Sequence, residues 1–239
     1  MLKNYSIKDI LFPPRCPICE TIVPSLGVAC NACSNELQIH NIKEPRCKRC
    51  SKPITTMETE YCYDCMKKDV HYKCGKAVWI YNHAMAQSIG RFKYQDKQEY
   101  AFFYGNEMAR IYGTWIVKHQ IEAFIPVPIH QHKRNHRGYN QAELIARVLS
   151  DNLGIPIFSK SLIRNKETRP QKDLTHSERM KNVGKAFACD VSELYGLEKV
   201  ALVDDIYTTG STIESCAKVL LNVGIKEVYF LCVSIGVSV

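Results

Sequence analysis

This 239-residue chain has no long hydrophobic run. Its longest apolar stretch, near Val228 to Val239, falls short of the ~20 residues a membrane-spanning helix needs. The N-terminus, MLKNYSIKDILFPPRC, lacks a continuous apolar core and a small-residue cleavage site, which excludes a conventional secretory signal. A cytoplasmic protein without an integral membrane segment is therefore expected. No stretch is biased enough in composition to suggest disorder. G-x-G-x-x-G and G-x-x-x-x-G-K-[ST] are both absent, so neither dinucleotide binding nor a P-loop nucleotide site has support.

Length alone allows one sizeable core and a small appended module, because single domains commonly run ~100 to 200 residues. Acidic residues are in deficit, 24 against 32 basic ones, and the imbalance is local. Residues 130–185 hold 12 basic and 5 acidic side chains, a net +7, together with His130, His132, His136 and His176. Residues 186–239 hold 3 basic and 7 acidic, a net −4. A basic middle beside an acidic tail suits a polyanion held partly by side chains and partly by backbone.

Twelve cysteines in a chain without a secretory signal point to metal rather than disulfides. Eight of them form four CxxC pairs in series: Cys16/Cys19, Cys30/Cys33, Cys47/Cys50 and Cys62/Cys65. Each CxxC bends into a knuckle offering two thiolates to one ion, and a second knuckle across a short hairpin completes a tetrahedral four-cysteine shell for zinc. Two structural zinc sites are expected, with no open position for catalysis. Pairing in sequence order keeps the loops short and is preferred, although the spacing also admits a crossed arrangement. Arg15, Arg46, Lys48, Arg49 and Lys52 flank the ligands and are expected to ease the tetrathiolate charge and lower the thiol pKa values, with nucleic-acid contact as a weaker role. Cys74, Cys189, Cys216 and Cys232 receive no role.

After Cys74 comes the apolar segment Ala77 to Tyr81. Apolar residues then recur at three and four from about Ala84 to His119, which predicts one or two helices. From there the pattern alternates as a parallel sheet with covering helices would. Strands are expected over Ile121 to Val127, Ala186 to Val191, Lys199 to Val203 and Val228 to Ile235, and an extended segment over Ile155 to Ile163. Helices are expected over Asn140 to Leu153, capped by Asn140 with Glu143 three residues on, and over Thr212 to Asn222. The polar stretch Asn165 to Lys185 reads as a long functional loop.

Lys199 to Asp205 (KVALVDD) is an apolar run ending in two carboxylates, followed at once by Ile206, Tyr207, Thr208, Thr209, Gly210, Ser211 and Thr212. Gly210 permits a positive φ, and the hydroxyls lie beside the free amides of a helix N-terminus, a cradle for a phosphomonoester. A plainer reading is a capping box of Ser211 with Glu214. The acidic pair favours the cradle: adjacent carboxylates are poor core residues, and ligands of open α/β sheets bind at strand ends.

Val200 to Thr212 (VALVDDIYTTGST) resembles the 13-residue phosphoribosyl-pyrophosphate motif of type I phosphoribosyltransferases. Pro126-Val127-Pro128-Ile129-His130, followed by Arg134 and Arg137-Gly138-Tyr139-Asn140-Gln141-Ala142, resembles the PVP…RGFNQA segment of the ComF family of competence-associated proteins, with Tyr for Phe. Thr168, Gln171, Leu174, Arg179, Asn182 and Phe187 resemble a further stretch of that family, and the double zinc ribbon is another of its features. The resemblance covers nearly the whole chain.

It implies a double zinc-ribbon module over residues 1–73 and an α/β, mostly parallel, phosphoribosyltransferase-like domain over 74–239. Within the latter, 74–120 would be a helical hood or connector and 121–239 the core. Asp204 and Asp205 would bind ribose hydroxyls, and Thr208, Thr209, Gly210, Ser211 and Thr212 the 5′-phosphate. Arg134, Arg137, Gly138, Lys166, Arg169 and Lys172 would serve pyrophosphate or the flexible loop, with Arg137 beside the two aspartates at the reacting centre. For Arg137 a solvated charge or a pair with Glu143 is the plainer reading. Lys93 resembles a lysine of the family's hood, though periodicity alone makes it a surface residue. The implied activity is Mg²⁺-dependent phosphoribosyl transfer to a nitrogenous acceptor, in natural competence. The alternative is a protein that handles single-stranded DNA among other uptake proteins and uses the ligand for regulation. A purely structural adaptor has no need of paired strand-end aspartates before a phosphate cradle.

Overall fold

The cysteine pairs fold locally into two small ribbons, because each CxxC turn closes on its own backbone: Glu20 N donates to Cys16 O at 2.9 Å and Ser51 N to Cys47 O at 2.9 Å. Glu20 and Ser51, the residues that follow each turn, take φ of +64° and +70°. The computed structural model describes residues 13–164, 186–190 and 192–237. In the first ribbon lies helix α1 (Asn31–His40), and in the second the short helix α2 (Tyr63–Lys67).

Strand β1 (Gly75–Ile80) follows, then helices α3 (His83–Tyr94) and α4 (Tyr100–Lys118), strand β2 (Ala123–Pro126), helices α5 (Gln131–Arg137) and α6 (Gln141–Leu153), and strands β3 (Leu162–Arg164) and β4 (Phe187–Cys189). Strand β5 (Lys199–Tyr207), helix α7 (Ser211–Asn222) and strand β6 (Glu227–Ile235) complete the order. The periodic stretch after Ala84 is thus two helices. Asn82 caps the first by accepting from Met85 N at 2.9 Å, and it stops at Gln95, one residue before Asp96 at φ +51°.

A four-stranded parallel sheet in the order β1-β6-β5-β2 forms the centre. β5 and β6 are interior strands, so Val200, Ala201, Leu202, Val203 and Val228, Phe230, Leu231, Cys232 are buried on both faces and read as continuous apolar runs. Gly75–Ile80, expected only as an apolar lead into the helices, joins this sheet as an edge strand beside β6. Its glycine admits the Phe230 ring, which a Cβ would meet at 2.3 Å. The expected extended segment before residue 163 makes a parallel bridge from Ile157 to Phe124, and then pairs antiparallel with β4 in a separate two-stranded ribbon.

The two zinc ribbons lie against opposite faces of the sheet. Cys16, Ile18, Val23 and Cys33 share one apolar cluster with α3, α4, α6 and Ala201, Val203 and Leu231. Cys47, Cys50, Cys65 and Tyr72 share the other with α7, β4 and Val200, Leu202 and Phe230. Polar contacts fix the first ribbon: Ser88 Oγ donates to Pro17 O at 2.6 Å, and the Arg91 guanidinium donates to Pro17 O and Ile18 O.

Asn140 caps α6, accepting from Ala142 N at 3.1 Å. Glu143 does not turn back to complete a box, because its carboxylate is drawn to Arg147 at 2.7 Å and Arg134 at 3.6 Å. The stretch Asn165 to Lys185, with Lys166, Thr168, Arg169, Gln171, Lys172, Leu174, Arg179 and Asn182, lies outside the described residues. Among the described residues no helix is long and apolar enough to cross a membrane.

Helices α4 and α6 approach closely at Gly105, where a Cβ would meet Val148 Cβ at 2.5 Å and Ile145 O at 3.2 Å. Gly105→Val is expected to cost about 2 kcal/mol or more through overpacking, outweighing the few tenths gained in helix propensity. A thermal unfolding midpoint equal to that of the unaltered protein would exclude this close approach.

Candidate functional site

Asp204 and Asp205 lie in the carboxyl-terminal half of β5, which runs on beside β6 to Tyr207 before the turn at residues 208–210 leads into α7. β2 ends level with the two aspartates, since Pro126 pairs with Val203 and Val127 N donates to Val203 O at 2.9 Å. The PVP segment and the acidic pair therefore emerge side by side, as the sequence leads one to expect.

Consecutive strand residues point to opposite faces, so the two carboxylates diverge. Asp205 turns towards the helical face and pairs with Lys93 Nζ at 2.8 Å, both side chains being largely buried. Lys93, a surface residue by periodicity alone, is thus brought to the site by the tilt of α3 across the strand end. Asp204 lies on the other face, above Cys216 and Cys232, and accepts from Asp205 N at 2.9 Å. Burial first, and the adjacent Asp205 charge second, push its carboxyl up to about 7, against the pull of Lys93 and Arg164. One carboxylate is neutralised by a lysine, and its neighbour holds its proton near neutrality. This pair is poised for further hydrogen-bond donors or a cation.

Sequence reasoning missed Arg164. It closes β3, its guanidinium lies 5.3 Å from the centre of the Phe187 ring, and it exerts a favourable field on ionised Asp204. Its Nε is buried without a hydrogen-bond partner among the described residues. The packing of the β3–β4 ribbon on α7 brings it there, a tertiary arrangement that no spacing pattern announces.

The cradle itself is a tight turn. Gly210 has φ +79°, and a Cβ there would meet Tyr207 Oη at 2.3 Å, so the turn rests directly on the Tyr207 side chain. Thr208, Thr209 and Ser211 are exposed, Thr212 is half-buried, and Thr209 Oγ1 lies 3.1 Å from Ser211 Oγ. No side chain caps α7. The capping box of Ser211 with Glu214 does not form, since Glu214 is taken by the His71 backbone N–H at 2.8 Å and the His71 ring at 2.6 Å. The first-turn amides are left facing outward, where the helix field favours an anion.

The RGYNQA segment is largely scaffold. Asn140 Nδ2 donates to Val127 O at 3.0 Å, tying α6 to the end of β2, and Tyr139 donates to Phe92 O. Arg137 donates to Tyr94 Oη at 3.0 Å and Gln141 Oε1 at 3.1 Å, with its plane 4.8 Å from the Tyr94 ring centre. It is Arg134, not Arg137, that pairs with Glu143. Gly138 ends α5 at φ +80°.

Each ribbon gathers its four sulfurs within 4.8 Å of one another, in sequence order: Cys16, Cys19, Cys30, Cys33 and Cys47, Cys50, Cys62, Cys65. A tetrahedron with bonds of ~2.3 Å requires sulfurs ~3.8 Å apart, and Cys19 to Cys30 and Cys50 to Cys62 are each 3.6 Å. The donors fit zinc chemically as well. Without a cation the thiols must share protons: hydrogen bonds from Cys50 and Cys65 hold Cys47 far below the usual thiol range, while the bond to Cys47 pushes Cys50 far above it. A divalent ion lets all four ionise together.

Of the flanking cations, Lys52 feels the charge of Cys50 and Cys62 as expected, while the others take partners apart from the sulfurs. Arg15 donates to Glu20 O, Lys48 pairs with Glu60, Arg49 donates to Cys65 O and Lys68 O, and Lys52 pairs with Asp64. Arg46 turns to Tyr112, Ile42 O and Glu44. Hydrogen bonds from the other thiols and from backbone N–H groups act more strongly on the sulfurs than these cations do.

Residues 7–66 match the double zinc ribbon domain. The chain is 30% identical to Competence protein F of Haemophilus influenzae over 207 residues, covering 83% of this chain and 86% of that protein. The chain belongs to the ComF family. Competence protein ComFC of Bacillus subtilis is 26% identical over 82% of the chain and 78% of its own length, and the DNA utilization protein YhgH of Escherichia coli strain K12 is 26% identical over 85% and 88%. The paired zinc sites of this ComF-family chain, and the parallel sheet behind them, bear out the expected architecture.

Two measurements probe the site. Metal analysis is expected to find two zinc ions per chain, with Cys19→Ser and Cys62→Ser each removing a different one; equal loss of both from either variant would refute independent sites. Asp204 has a folded pKa of about 7 against a reference of 3.8, so the folded state retains a proton that the unfolded chain releases. Stability contributed by that proton is complete below pH 3.8 and is lost as pH rises through about 7. Asp204→Asn should therefore stabilise the free protein by about 1 to 3 kcal/mol at pH 8, after discounting for partial exposure, and by less at pH 5. Equal effects at both pH values in denaturant titrations would contradict the raised pKa.

Proposed function

We propose that this chain binds phosphoribosyl pyrophosphate together with Mg²⁺ at the carboxyl edge of the sheet, and that it works in natural competence and DNA uptake. In this reading residues 1–73 are a zinc module and residues 74–239 a phosphoribosyltransferase-like domain. The observation that carries it is the outward first turn of α7, one tight turn after the strand that carries Asp204 and Asp205, the latter held by Lys93. The names of the relatives, competence protein and DNA utilization protein, support the cellular role.

Thr208 to Thr212 hold the 5′-phosphate through hydroxyls and first-turn amides. Asp204 and Asp205 accept from the ribose hydroxyls, and the raised pKa of Asp204 means that donors arriving there are met by a carboxylate whose charge is otherwise costly. Mg²⁺, when bound, would be held near Asp204 and Asp205 and would offset the charge of the pyrophosphate, a role suited to a small hard cation that keeps several waters. Arg134, Arg137, Gly138, Lys166, Arg169 and Lys172 are assigned to pyrophosphate and the closing loop.

Transfer would break the bond from the anomeric carbon to pyrophosphate and form one to a nitrogenous acceptor, with pyrophosphate leaving. Such a reaction passes through an oxocarbenium-like state and depends on position and preorganised charge rather than on a strong base. Replacing both aspartates by asparagine is expected to abolish binding of phosphoribosyl pyrophosphate in calorimetry with Mg²⁺ present; unchanged affinity would sink the reading. Release of pyrophosphate in the presence of a mixture of nucleobases would establish turnover.

A second reading, handling of single-stranded DNA with the ligand as regulator, draws on the second ribbon. Tyr63 and Met66 are exposed there at 65% and 62%, Lys67 Nζ lies 4.1 Å from the Tyr63 ring centre, and Arg49 lies 5.1 Å from that of Tyr61. Exposed aromatics interleaved with cations suit stacked bases. Tyr63→Ala is expected to weaken binding of a short oligodeoxythymidylate at low salt by about tenfold, on the scale of one lost stack.

A further inference from the structure

The second zinc ribbon touches the phosphate cradle from behind. Tyr72, five residues past the end of α2 and three before β1, places its hydroxyl 2.8 Å from that of Tyr207, and its ring meets Phe230 edge-on with centres 5.1 Å apart. Tyr207 is the side chain on which the Gly210 turn rests. Lys68, the residue that ends α2, reaches Thr209 O with its ammonium at 3.3 Å. Between them His71 takes both oxygens of Glu214, one on its backbone N–H at 2.8 Å and the other on its ring Nδ1 at 2.6 Å.

Glu214 is the one feature of this loop that opposes an anion. It lies in the first turn of α7, where its carboxylate competes with a phosphate for the same field and the same amides. The sequence Ser211-Thr212-Ile213-Glu214 also spells a capping box, in which that carboxylate would turn back onto Ser211 N–H. In the folded protein it does not: Gly210 rather than Ser211 stands at the N-cap, Ser211 N meets only Thr209 Oγ1 at a long 3.5 Å, and His71 draws the carboxylate sideways to the ribbon. The remaining contact, to Lys218 one turn along the helix, is longer at 3.4 Å and has no backbone N–H beside it, whereas His71 takes both carboxylate oxygens.

We propose that His71 is a positioning residue for the phosphate loop: the second zinc ribbon holds Glu214 out of a self-capping state that would otherwise occupy the amides of the cradle. The idea rests on the phosphate-binding reading above and extends it, since it makes the zinc ribbon at Cys47, Cys50, Cys62 and Cys65 part of the apparatus that keeps the cradle open. Lys68 and Tyr72 fix the ribbon against the loop so that His71 meets Glu214.

The test is an epistasis experiment on the full zinc-loaded protein, with phosphoribosyl pyrophosphate and inorganic phosphate as probes in calorimetry. His71→Ala is expected to weaken binding about tenfold, the scale of one partly buried charge acting at a helix N-terminus. Glu214→Ala is expected to bind as tightly as the unaltered protein or more tightly, and the double variant to bind like Glu214→Ala, because His71 has nothing left to restrain. Wild-type affinity in His71→Ala, or a double variant as weak as His71→Ala, would overturn the proposal. A ligand-free measurement separates it from the phosphate-binding reading. In His71→Ala the Ser211 amide is expected to gain protection from hydrogen exchange as Glu214 closes on it, and Glu214→Ala in that background should remove the gain. Unchanged exchange at Ser211 would refute the proposal even if the probes bind, and failure of the unaltered protein to bind either probe would refute the reading while leaving this outcome to decide the proposal.

Discussion

Everything at the carboxyl edge depends on the parallel pairing of β5 with β2 on one side and β6 on the other. Because Pro126 is level with Val203 and Asp204 with Cys232, the PVP stretch leaves β2 beside the acidic pair, while β5 and β6 run on together to Tyr207 and Ile235. A slip of one residue in β5 would exchange its two faces, sending Asp205 into the cluster around Cys216 and Cys232 and Asp204 towards Lys93. The buried runs on both faces of β5 and β6 resist any such slip, since every side chain there is already matched to a helix or a ribbon.

The zinc ribbons belong to this arrangement more closely than an appended module would suggest. One packs with α3 and α4 on the face that carries Lys93, the other with α7 on the face that carries Asp204. Their contacts run from the knuckle carbonyls of Pro17 and Ile18 to Ser88 and Arg91, and from His71 and Tyr72 to Glu214 and Tyr207. Metal binding in a small ribbon is folding energy for that ribbon. Here it also fixes the surroundings of two helices that border the candidate site.

Charge is distributed in the same economical way. Asp205 has its lysine, Arg137 is spread over Tyr94 and Gln141, and the cations around the cysteines are bound to carboxylates and carbonyls nearby. Among the described residues, polar groups short of partners occur in several places, and three of them lie around one strand end: Asp204 with its raised pKa, the buried Nε of Arg164, and the outward first-turn amides of α7. Polar groups short of partners are costly in a folded protein, and those at the strand end stand where the proposed ligand would satisfy them.

Local features were legible in the sequence by itself. The four CxxC pairs announced two metal sites because a knuckle is built from four neighbouring residues, and KVALVDDIYTTGST announced a strand, a turn and a helix for the same reason. The helical period of 84–119 and the cap at Asn140 were equally local. Tertiary structure decided the rest. It put Gly75–Ile80 into the sheet, where pairing with β6 outweighed the absence of a clear strand pattern. It brought Lys93 and Arg164 to the two aspartates, each from an element more than thirty residues away in sequence, and it gave Glu214 to His71 instead of Ser211. No periodicity encodes which side chain lies across a strand end, because that depends on how helices, ribbons and sheet pack once their apolar faces have been buried.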